Sequence, residues 1–213
     1  MENKKSNKPR YFRFTEFFSY VIIMILIFQV IDFGKTLLSD PDSYEIRYEA
    51  AMGTAEDGSP LSEADGQKIY RLYKDGEEQF DVDINRYDLK DENGNTDLKY
   101  CLLMDEASTL SSVFLIGLMI YIVSRIAAEI SEGSSPFTRR NVRYIRIIGI
   151  LQFTLAIVPG LVRMIMSFFR FMYYSSTFTI NSFFMFVIAF AIMTLAQVFD
   201  YGVKLQEDMD SIA

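Results

Sequence analysis

The chain has 213 residues, half of them apolar, with 19 Phe and no Trp, and a formal net charge of −7. It has no His and one Cys, Cys101, which excludes an intrachain disulfide, imidazole metal ligands and the commonest general base at neutral pH. The charge is divided: residues 39–106 hold 19 acids and 7 bases, the other 145 residues hold 9 and 14, and an acidic chain without a basic, aromatic-interleaved stripe is not a direct nucleic-acid binder.

The first 13 residues carry Lys4, Lys5, Lys8, Arg10 and Arg13 against one acid. The run FFSYVIIMILIFQVIDF, residues 17–33, follows. About 20 mostly apolar residues cross the ~30 Å hydrocarbon core of a bilayer. No small-residue cleavage site follows the run, so it reads as a retained signal-anchor. Residues 1–38 thus form a basic amino-terminal segment and a first transmembrane helix, with Asp32 near the far end.

Residues 39–106 are too long for a plain loop and read as a small α+β cap. YEIRYEA, residues 44–50, is β-prone, and FDVDI, residues 80–84, alternates like a half-buried strand. Asp75-Gly76 and Asn93-Gly94 are turn signals. For residues 61–76 a helix capped by Ser62, with Ile69, Leu72 and Tyr73 on its apolar face, is preferred to a strand with Tyr70 and Leu72 on one face. LKYCLLM, residues 98–104, reads as a further strand, with Cys101 an ordinary member of it. Asp91, Asn93, Asn95 and Asp97 alternate like calcium ligands, but glycine stands at the fourth position instead of the sixth and no glutamate holds the twelfth. A hairpin turn is the plainer reading. Asp81 and Asp83 read as the solvated face of a strand.

Residues 107–213 hold three more spans, 109–128, 145–169 and 182–199, with a loop at 131–143 and a charged carboxyl-terminal tail. In the loop, Gly133 to Pro136 form a turn and Thr138 is a helix N-cap. Arg139, Arg140, Arg143 and Arg146 follow, three of them within about 60° of one helix face. Helix starts prefer acids, so these arginines need another reason: anchoring to anionic headgroups, or meeting an acidic partner. Basic residues in short flanks face the cytoplasm, which puts both termini and the loop inside and residues ~36–106 outside the cell membrane. Past the fourth span, Val198, Gly202, Leu205, Met209 and Ile212 make an amphipathic stripe.

Ionisable residues inside spans are costly and start as candidates for function. Asp32 and Arg163 are such residues and form a candidate intramembrane pair. Arg125 is expected to meet Glu129 along its helix, or Asp200. Pro159-Gly160 is expected to loosen the third span. No Ser-x-x-Lys, glycine-rich phosphate loop or pair of same-depth aspartates is present, so no enzyme, cofactor or metal is expected.

Pro136-Phe137-Thr138 with Asn141 and a basic helix start, then Phe199, Gly202, Leu205-Gln206 and Asp210, resemble the bacterial domain-of-unknown-function family 2975. Asp200 stands where a basic residue is commoner. The resemblance covers mainly residues 107–213 and implies a four-span membrane protein, often encoded beside a small helix-turn-helix regulator. The expected fold is therefore mainly α: a four-helix transmembrane bundle with a small α+β extracytoplasmic insertion between helices 1 and 2. The expected function is regulatory or sensory, tethering a cytoplasmic helix-turn-helix regulator. The candidate partner or lipid contacts are Pro136, Phe137, Thr138, Arg139, Arg140, Asn141, Arg143 and Arg146, with Gly202, Leu205, Gln206 and Asp210. The competing expectation is a subunit of a homo-oligomeric small-solute or ion transporter using Asp32, Gln152, Arg163 and Gln197.

Overall fold

The computed structural model describes residues 10–50, 68–90, 93–131, 135–173 and 180–212. In chain order these form α1 (Arg10–Leu38), β1 (Tyr44–Ala50), β2 (Lys68–Lys74), β3 (Glu77–Val82), α2 (Ile84–Tyr87), α3 (Leu98–Ser131), α4 (Arg139–Phe171) and α5 (Ile180–Ile212). Four of the helices are long and apolar enough to cross a bilayer. The chain is a multi-pass membrane protein, mainly α, with a small antiparallel sheet between its first two spans. Each long helix outruns its apolar stretch. At 1.5 Å per residue α5 is about 50 Å long, against ~30 Å of hydrocarbon.

Two compact units divide the chain. One takes residues 1–31, 107–164 and 175–213 and contains most of the helical bundle. Lipid tails are as apolar as leucine, so helices there associate through close packing and polar contacts. Ser19 and Ser124 join α1 to α3 through hydroxyls 3.2 Å apart. The Ser108 hydroxyl donates to the Pro159 carbonyl at 3.0 Å, tying α3 to α4. Gln152, 8% exposed, donates to the Met185 sulfur of α5 at 3.0 Å. A Cβ on Gly149 would lie 2.8 Å from the Met193 sulfur, so the thioether of α5 rests against the bare backbone of α4 there. α4 stays helical through Pro159.

The second unit takes residues 32–106 and 165–174, and so includes the end of α1 and the end of α4 as well as the sheet. The sheet order is β1-β2-β3, antiparallel throughout. Asp75 and Gly76 have φ of 51° and 83°, as expected for a two-residue hairpin loop that needs left-handed backbone at both positions. Leu72, Tyr44, Val82, Tyr87, Met104 and Phe171 belong to one core with Cys101, which is fully buried.

Two expectations about this unit are corrected. Residues 68–74 are the central strand, not a helix. Every position pairs with β1, and five also pair with β3; sheet pairing on both sides outweighs the local helical pattern. Ser62 lies outside the described residues. Residues 98–104 are the first two turns of α3, not a strand. The Asp97 carboxylate accepts the Tyr100 amide at 3.0 Å and its carbonyl accepts the Cys101 amide at 3.1 Å, a complete N-cap. A continuous apolar run does not distinguish strand from buried helix, and here it continues a span. The Cys101 thiol donates weakly to the Tyr87 carbonyl at 3.8 Å. Phe80 also differs from expectation: it is 47% exposed, while Val82 is buried. Asn93-Gly94 does form a turn, with Gly94 at φ 80° and Lys90 bridged to Thr96 around it.

Candidate functional site

The two sequence motifs meet at the start of α4 and the end of α5. The Thr138 hydroxyl accepts the Asn141 amide at 3.1 Å, and its carbonyl accepts the Val142 amide at 3.0 Å, so Thr138 caps α4. Asn141 is 1% exposed and its side-chain amide donates to the Pro136 carbonyl at 3.2 Å, fixing the turn before the helix. The Ser135 hydroxyl accepts the Phe137 amide at 3.2 Å and donates to the Gln206 side-chain oxygen of α5 at 3.1 Å.

Phe137 is the bolt of this junction. Its ring lies 5.2 Å from the Phe199 ring, centroid to centroid. It also lies over Gly202, where a Cβ would come within 2.7 Å of Phe137 Cδ1. A side chain at position 202 would force the ring to shift. Val142, Ala196 and Val203 are buried nearby in sequence on the same two helices.

The arginines find acids within the chain. Arg139 donates from Nε and Nη2 to the two carboxylate oxygens of Glu207, at 2.8 and 2.9 Å. Arg146 lies 3.4 Å from Asp200, which Lys204 also approaches at 3.8 Å. Arg140 Nε lies 3.0 Å from Glu129, with its N–H directed at the Tyr144 hydroxyl. Arg143 is exposed and has no ion-pair partner among the described residues.

The pairing follows an antiparallel register: seven residues forward on α4, from 139 to 146, is seven back on α5, from 207 to 200. Arg139 stands at the electropositive end of its helix and Glu207 near the electronegative end of its own. Each charge is misplaced alone, and the cross-helix pair offsets both. Glu207 lies beyond the apolar stretch of α5, and its hydrogen bonds from Arg139 hold its carboxyl below the usual range. The Arg146–Asp200 pair is half-exposed and is worth no more than about 1 kcal/mol.

Leu205 is 47% exposed and Asp210 is also exposed, so neither is part of the junction. With Met209 at 71% and Ile212 at 86% exposure, Leu205 forms an uncovered apolar line. Arg125 does not hold the two acids assigned to it, because arginines of α4 reach both. Asp32 lies 3.4 Å from Lys35, while Arg163 is 4% exposed within the bundle. Glu207 and Ser135 escaped attention in the sequence. The signal that reveals them is the antiparallel register between consecutive spans.

No curated protein and no solved structure matches the chain. A family model described as Protein of unknown function (DUF2975) matches residues 91–212, more than half of the chain and both motifs, and the chain belongs to that family.

Proposed function

We propose that the protein is a regulatory membrane component whose α4–α5 end docks a small helix-turn-helix regulator on the cytoplasmic face of the cell membrane. The observation that carries this is the end of α5. It continues as helix for 13 residues past Phe199, about 20 Å. It is braced on Ser135, Phe137 and Arg139, and leaves Leu205, Met209 and Ile212 uncovered. An apolar line with charged flanks on a preformed helix suits docking into a partner's groove. The basic flanks favour a cytoplasmic position for this end, and family members are often encoded beside such a regulator. The sheet-bearing unit would face outside and supply the sensory input. No catalytic step is assigned.

The test is co-purification of the full chain, in lipid nanodiscs, with a small helix-turn-helix regulator of the kind that the family resemblance implies, taken from the same genome. Association that is lost on removing residues 203–212 supports the proposal. No association with the intact chain overturns it.

A second reading, an oligomeric transporter subunit, draws on Gln152 and Arg163, both buried inside the bundle. Liposome flux of small ions that is unchanged by Arg163→Ala counts against it.

A further inference from the structure

Along the α4–α5 seam, within the apolar stretches, lies an open groove of about 580 Å³. Ile150 and Phe153 form one wall, Val187, Phe190 and Met193 the other, with Gly149 at the floor. Phe153 meets Phe186 edge to face at 5.0 Å. Phe190 is 77% exposed and Phe153 51% exposed, so the groove opens towards the surrounding membrane. No polar side chain lines it.

A charge stands above this groove. Arg143 precedes Ile150 by seven residues, which places it two turns along the same line of α4, about 10 Å away. The apolar stretch begins at Ile145, so Arg143 lies at headgroup depth and the groove beneath it at acyl-chain depth. Arg146, between them, is held by Asp200, and Arg139 by Glu207. Arg143 is the arginine of this face left without an acid among the described residues.

We infer that the groove and Arg143 together form a site for an anionic phospholipid. One acyl chain lies along Ile150, Phe153 and Phe190, and the phosphate meets the Arg143 guanidinium. A second copy's helix is the competing occupant, but Glu129, Asp200 and Glu207, the acids nearest this level in the ion pairs described, are each engaged by an arginine of the same chain. The site is independent of the docking proposal, since it lies within the membrane and uses none of Leu205, Met209 or Ile212.

The chain has no Trp, so Phe190→Trp supplies a single fluorophore on the groove wall. Phe28→Trp on α1, 59% exposed, is the control for general lipid contact. The full chain is reconstituted in vesicles of phosphatidylcholine with dibrominated phosphatidylglycerol, or with dibrominated phosphatidylcholine. Quenching of the Phe190→Trp reporter should show about 5-fold preference for the anionic lipid, the effect of one base at an anionic surface. The Phe28→Trp control should show none, and adding Arg143→Gln should bring the preference to about 1-fold. Phe153→Trp repeats the measurement from the opposite wall and guards against local misfolding at position 190. Equal quenching by the two lipids at both groove reporters overturns the proposal, as does a preference that survives Arg143→Gln. Reporters shielded from both lipids, as a second copy in the groove would leave them, overturn it too.

Discussion

Gly202→Ala adds a single methyl group where α5 passes under Phe137. The new Cβ would lie 2.7 Å from Phe137 Cδ1 and 2.9 Å from Cε1, against about 3.5–4.0 Å for ordinary carbon contacts. The ring, 42% exposed, packs on Phe199 at 5.2 Å between centroids, so relieving the overlap means shifting that contact. Overpacking of this kind costs about 1–3 kcal/mol. Alanine returns up to ~1 kcal/mol in helix propensity. The net is a loss of about 1 kcal/mol in the local stability of the α5 end, or roughly 5-fold faster exchange. In a Phe137→Ala background the clash is absent and only the propensity gain remains, so the same substitution should stabilise. The two changes should therefore couple by about 1–3 kcal/mol. Amide hydrogen exchange of residues 203–212 in nanodiscs reads this directly. Slower exchange on Gly202→Ala in both backgrounds, by equal amounts, would refute the Phe137–Gly202 lock.

Other outcomes follow from the same contacts. Leu72→Ala removes a side chain that is 1% exposed in the central strand and should cost about 2–5 kcal/mol, read as collapse of exchange protection in β1–β3. Asp97→Ala removes the α3 cap and the Arg170 pair at 2.9 Å. It should cost about 1–2 kcal/mol in the same unit, while Asp97→Asn keeps a capping oxygen and should cost less. Because the Glu207 carboxyl is depressed in the folded state, its contribution to the junction is full above the ordinary carboxylate pKa of about 4.3. That contribution is lost as pH falls through the lower folded value; Glu207→Gln should remove this acid-side increase in exchange of residues 203–212, and an unchanged profile would contradict the pairing.

Much of the architecture was legible because length and apolarity alone define a span, and residues 17–33 and 182–199 meet that condition without ambiguity. Asp75-Gly76 was legible because few residue pairs accept left-handed backbone twice. Thr138 was legible as a cap because a hydroxyl at that place satisfies an otherwise free amide. Residues 68–74 misled because β2 is stabilised by strands on both sides, information absent from its own pattern. Residues 98–104 misled because the buried helix and the buried strand share one signature, and Asp97 belongs equally to the turn pattern of residues 91–97 and to the α3 cap. At the junction, Phe137 and Gly202 were visible separately. What joined them was the antiparallel register of α4 and α5, which also turned Arg139 and Arg146 from free charges into partners of Glu207 and Asp200.

The most direct test of the docking proposal measures binding between the full chain in nanodiscs and a purified small helix-turn-helix regulator from the same genome, for the native chain and for Leu205→Ser with Met209→Ser. The uncovered line should carry the contact, so the double substitution should weaken binding by at least about 10-fold, the effect of losing ~1.4 kcal/mol, while exchange protection at the Phe137–Gly202 junction stays unchanged. Undetectable binding by the native chain, or binding indifferent to both substitutions, would contradict it.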